Sequence, residues 1–83
     1  MTDQPNQDQK APSTPLSRVL DELMELNEKQ KKLSIFIKAN TAFTNLDAID
    51  QDLLVSQLSI MQSYSSILMA RVRRMTDQQP DPN

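Results

Sequence analysis

The residues of this chain that could do chemistry are chiefly cations and hydroxyls. Arg71, Arg73 and Arg74 stand together near the C-terminal end, and Lys29, Lys31 and Lys32 stand together in the first half. A planar guanidinium grips a carboxylate or a phosphate bidentately, so each cluster is a candidate anion site. Arg71 is the most informative member. Steps of four and three back from it reach Ile67, Tyr64 and Ile60, which places it on an apolar helical face. An Arg there needs an anionic or hydrogen-bonding partner, because an unpaired buried charge is costly. Each cluster taken alone has a plainer explanation: cations near a helix C-terminus favour the macrodipole and simply solvate.

Other chemistries are missing or weak. The 83 residues include no Cys, His, Trp or Gly. That excludes a disulfide framework, thiol nucleophiles, zinc and haem sites of the usual kind, and Ser–His or Cys–His hydrolysis. Without Gly there is no phosphate-cradling loop, whose close backbone approach only Gly permits. No enzyme class keeps a positive signal, so the chain is expected not to be an enzyme and to need no cofactor. Asp47, Asp50 and Asp52 resemble a carboxylate cluster, but a helix N-terminus collects acids for dipole reasons and no metal site is expected. Met24, Met61, Met69 and Met75 read as core or interface filler, and Tyr64 is expected in the core ahead of a base-stacking role.

Charge is uneven along the chain. The total is -2, with 37% of residues hydrophobic and 24% charged. Asp3, Asp8, Asp77 and Asp81 lie in the end segments, opposed there only by Lys10, so the stretch 16–75 is +1. Non-specific DNA or RNA binding would require a strongly basic domain with interleaved aromatics, and a +1 core with three aromatics is not one. Residues 1–15, with Pro5, Pro12 and Pro15, and residues 76–83, with Pro80 and Pro82, cannot bury enough apolar surface to offset ordering and are expected to be disordered tails. Neither end has a signal-peptide pattern and no apolar run approaches the ~20 residues of a membrane span, so a soluble cytoplasmic protein is expected.

Two helical patterns must position the cations. Leu16, Val19, Leu20, Leu23, Leu26, Leu33, Phe36 and Ile37 follow a period near 3.6, with Ser17 as the expected N-cap and Asp21 and Glu22 suiting the positive end of the dipole. That pattern fades at Asn40–Thr41. Asp47 opens the second helix, with Asp50 three residues later in a capping-box-like arrangement. Leu54, Leu58, Met61, Leu68, Val72 and Met75 form one stripe, and Leu53, Ile60, Tyr64 and Ile67 form another beside it. Ala42, Phe43 and Leu46 anchor the connection. The second helix is thus apolar over more of its circumference than one partner can cover, and a lone hairpin of about 60 residues has a marginal core. The expected fold is all-α, a helical hairpin over 16–75 with a short helical connector, completed by homo-oligomerisation. Counting from the turn puts Lys32 and Arg71 about 25 Å apart along the axis, at ~1.5 Å per residue, so only an oligomer could bring both clusters to one small ligand.

The ordered set of motifs resembles a known family. E-x-x-x-L-x-E-K (Glu22 to Lys29), K-L-S-x-F-I (Lys32 to Ile37), F-x-x-L-D-x-x-D-Q-x-L-L (Phe43 to Leu54), Q-L-x-x-M-x-x-Y (Gln57 to Tyr64) and I-L-x-x-R-V (Ile67 to Val72) follow one another in order. Over about residues 18–75 the chain resembles the phage anti-CBASS cyclic-nucleotide sponges. The resemblance implies a compact homohexamer that binds cyclic oligonucleotide messengers without cleaving them, in the cytoplasm of an infected bacterium, and so starves a defence effector of its activator. It implies two kinds of pocket. One takes cyclic dinucleotides and uses the Lys matched by Lys32, with an aromatic about fifteen residues earlier. The other, on a threefold axis, takes cyclic trinucleotides and uses the residues matched by Ser34 and Arg71. Here Ser17 stands where the aromatic belongs. The missing ring costs about 1–3 kcal/mol per stacked base, so trinucleotides such as cyclic triadenylate are expected to be favoured and dinucleotides weakened or lost. The alternatives are a structural helical adaptor or phage assembly factor with no nucleotide ligand, in which Arg71 pairs with an acid across an interface, and a hydrolase of the messenger.

Overall fold

The computed structural model describes residues 14–77. Three helices follow in chain order: α1 (Pro15–Ala39), α2 (Thr41–Thr44) and α3 (Ala48–Asp77). α1 and α3 pack on each other as an antiparallel hairpin and α2 forms the connector, as the two stripes and the turn anchors predict. The helical part reaches slightly past the expected 16–75, to Pro15 at one end and Asp77 at the other. The remainder of the expected tails, 1–15 and 76–83, lies outside the described residues.

The start of α1 corrects the expected cap. Thr14, not Ser17, is the N-cap. Its Oγ1 accepts from the Ser17 N–H at 3.0 Å, while its own N–H donates to Ser17 Oγ at 2.9 Å. Ser17 is therefore the N3 partner of a reciprocal capping box. The reason is Pro15, whose fixed φ and missing N–H suit the first helical position and set the cap at Thr14, three residues before Ser17. With the helix starting there, Asp21 and Glu22 fall beyond the first turn, where the dipole effect has largely decayed. α3 begins directly after Asp47, and Asp50 lies in its first turn.

The connector changes direction without glycine. Among the described residues none has positive φ. Asn40 ends α1 in extended conformation (φ -103°, ψ 124°), donating its N–H to the Phe36 carbonyl. The same residue caps α2, its Oδ1 accepting from the Ala42 N–H at 2.8 Å. Phe43 meets Phe36 edge-to-face with ring centroids 6.1 Å apart. Gln51 of α3 donates through Nε2 to the carbonyls of Phe43 (3.0 Å) and Leu46 (3.2 Å), tying the turn to the following helix.

One polar contact fixes the register of the long helices. Ser65 Oγ donates to Asn27 Oδ1 at 3.0 Å, and Gln30 Nε2 donates to the same oxygen at 3.0 Å. Ser65 is buried, so sliding either helix would strand its hydroxyl. Around this pair lies a small core of Val19, Leu26 and Leu68, with Leu23, Met61, Val72 and Met75 packed against it. Leu68 is fully enclosed at 0% exposure. We expect Leu68→Ala to destabilise the fold by about 2–5 kcal/mol, a large share of the stability of so small a domain. At roughly 4–8 °C per kcal/mol, thermal melting followed by circular dichroism should show a midpoint lower by about 8 °C or more. An unchanged midpoint would remove Leu68 from the core.

Candidate functional site

The two stripes of α3 have different fates. Leu54, Leu58, Met61, Leu68, Val72 and Met75 are buried or half-buried against α1. The second stripe is bare: Leu53, Ile60, Tyr64 and Ile67 are all exposed, Ile60 at 69% and Ile67 at 58%. Ile49, at 74%, extends it one turn toward the start of α3. The expectation of Tyr64 in the core is corrected. It lies 41% exposed on the bare stripe, because α1 covers only one side of α3. The methionines divide similarly, Met61 and Met75 half-buried at the core and Met24 and Met69 exposed. Leu20, Met24 and Ile35 leave exposed apolar surface on α1 as well.

α3 has the length and composition of a membrane span even though it holds no unbroken apolar run. The eighteen residues between Asp52 and Arg71 carry no charge. By length and composition alone α3 is long and apolar enough to cross a membrane, at a mean hydropathy of 1.2 over its most apolar window. Five serines and two glutamines interrupt the run, so a count of consecutive apolar residues passes over it.

Arg71 emerges at the C-terminal end of the bare stripe. With Ile67, Ala70, Arg74 and Met75 it lines an open depression of about 420 Å³. The i, i+3, i+4, i+7 relations among 67, 70, 71 and 74 put these side chains on one side of the helix. The sequence groups Arg71, Arg73 and Arg74 as one cluster, and the structure divides it: Arg73 does not line the depression. Among the described residues neither Arg71 nor Arg74 is paired with a carboxylate. Helical arithmetic from Ile67 could have found Arg74 and Ala70. Proximity in sequence to Arg73 obscured it.

Lys32 and Ser34 lie elsewhere. Lys32 is exposed and Ser34 half-buried on α1. The contact of Asn27 with Ser65 sets Lys32 level with residue 60 and Ser34 level with residue 58. At ~1.5 Å per residue, Arg71 is then about 16 Å along the axis from Lys32 and about 20 Å from Ser34. The 25 Å expected for Lys32 is too long, because the α2 connector puts the middle of the hairpin near residue 46 and not near Phe43. The three candidate residues are not brought together within one chain. Ser17, where an aromatic would stand in a dinucleotide pocket, is half-buried with its hydroxyl engaged by Thr14. Among the described residues no group of three or more His, Cys, Asp or Glu is placed to hold a metal ion.

The described residues form an all-helical hairpin with a minimal core, a bare apolar stripe, and at its end two arginines that have no carboxylate partner among those residues. The chain belongs to the Sequestin family, whose model matches residues 13–74 and so covers α1, the connector and α3 as far as Arg74. The family name denotes sequestration, which agrees with the binding of small molecules. No curated protein and no solved structure matches the chain.

Proposed function

We propose that this protein is a phage anti-defence sponge that captures cyclic oligonucleotide messengers intact and thereby blocks activation of CBASS effectors in the cytoplasm of the infected host. The observation that carries this reading is the position of Arg71: a guanidinium with no carboxylate partner among the described residues, lining an open depression at the end of an apolar stripe, in a Sequestin-family chain. The protein acts by stoichiometric binding and is not an enzyme. Its working form is a homohexamer held together by the bare faces. Since Arg71 and Ser34 are about 20 Å apart along one hairpin, they meet at a ligand only when different protomers supply them. Around a threefold axis, three arginines and three hydroxyls face a cyclic trinucleotide with three phosphates, matching symmetry with symmetry. Lys32 belongs to the second, dinucleotide pocket, which lacks its stacking ring here.

A sponge must hold its ligand more tightly than the effector does, and nanomolar affinity, about -12 kcal/mol, is the scale required. Several charge-assisted phosphate bonds in a partly desolvated pocket can supply it. Titration calorimetry with cyclic triadenylate and with a cyclic dinucleotide tests the selectivity. The trinucleotide should bind at least tenfold more tightly. Tighter dinucleotide binding would overturn the assignment of the pockets.

A further inference from the structure

Resting on the proposed capture of phosphate-bearing ligands, the geometry points to Arg74 as a second phosphate-gripping residue beside Arg71, over a floor kept open by the small side chain of Ala70. Both guanidiniums and Ala70 line the same depression, with Ile67 and Met75 completing it. Residues three apart on a helix are neighbours, so the two cations repel each other weakly until an anion lies between them. A helix macrodipole accounts for a cation in the last turn of α3, but it favours no particular side of the helix. It therefore accounts for a cation at position 74 but does not explain why Arg74 shares a depression with Arg71. Two planar forks on one side of the helix suit the several oxygens of a phosphate group, and an apolar floor suits the face of a sugar or base attached to it. Ala70 matters by its size: a longer side chain would fill the space the ligand needs.

The test compares five full-length variants, Arg71→Ala among them, by titration calorimetry with cyclic triadenylate, each first checked for wild-type helicity and mass. Arg74→Gln should weaken binding by tenfold or more. Arg74→Lys should recover part of the loss, since charge returns without the fork. Ala70→Leu should also weaken binding by tenfold or more. Arg73→Gln removes the same charge one residue away, outside the depression, and should stay within about twofold of wild type. Equal losses for Arg73→Gln and Arg74→Gln would reduce both to general electrostatics and overturn the inference. So would an Arg74→Gln protein that binds like wild type, while an accompanying loss in Arg71→Ala would leave the proposed function standing. A wild-type protein that binds no cyclic triadenylate would overturn the proposed function and this inference together.

Discussion

Replacing Arg71 with Ala should abolish capture of cyclic triadenylate while leaving the helices and the assembly in place. Arg71 is exposed and outside the Val19–Leu26–Leu68 core, so its removal costs the hairpin little. A hydrogen bond to a charged group contributes about 1.5–3 kcal/mol. Where symmetry places three copies around one ligand, a single substitution removes three such contacts, about 5–9 kcal/mol together. That corresponds to a loss on the order of a thousandfold or more in affinity. Calorimetry and sedimentation on the same preparation check the two halves of the expectation. Binding within tenfold of wild type would remove Arg71 from the pocket, and loss of assembly would make it an interface residue.

The second large effect concerns the bare stripe. From Ile49 to Arg71 it runs about 33 Å along α3, at ~1.5 Å per residue, and Ile60 lies near its middle. Burying an Ile side chain is worth about 1.5–3 kcal/mol, and an unpaired carboxylate in its place adds a desolvation penalty at every copy of the interface. Ile60→Asp should therefore dissociate the proposed oligomer. Sedimentation equilibrium should show the mass falling toward the 9.5 kDa of one chain, with reduced helix content because an isolated hairpin has so small a core. A variant that keeps the wild-type oligomeric mass would place the interface elsewhere, for instance on the exposed Leu20, Met24 and Ile35 of α1.

Much of the architecture is legible in the sequence, because a period of 3.6 is a property of spacing alone. Both α3 stripes emerge as separate faces, and the fading of the first pattern at Asn40 marks the true end of α1. The start of α1 is less legible. Ser17 and Thr14 are both good capping residues, and only the preference of Pro15 for the first helical position decides between them. Periodicity misplaces Tyr64, because it reports that a face is apolar and not what covers it. The register was beyond reach for a similar reason. It depends on Ser65 meeting Asn27 across thirty-eight residues, and neither residue signals its partner locally. At the site, the apolar context of Arg71 is visible from its spacing. That Arg74 joins it while Arg73 does not follows from helical geometry, which adjacency in the chain conceals.

The most direct test of capture without cleavage is to incubate the protein with cyclic triadenylate, remove unbound ligand, denature the complex and analyse what is released. Intact cyclic triadenylate, recovered in proportion to the protein, is the expected result. Linear product would make the protein a hydrolase, and recovery of no nucleotide would make it a helical adaptor whose arginines serve an interface; either outcome contradicts a sponge.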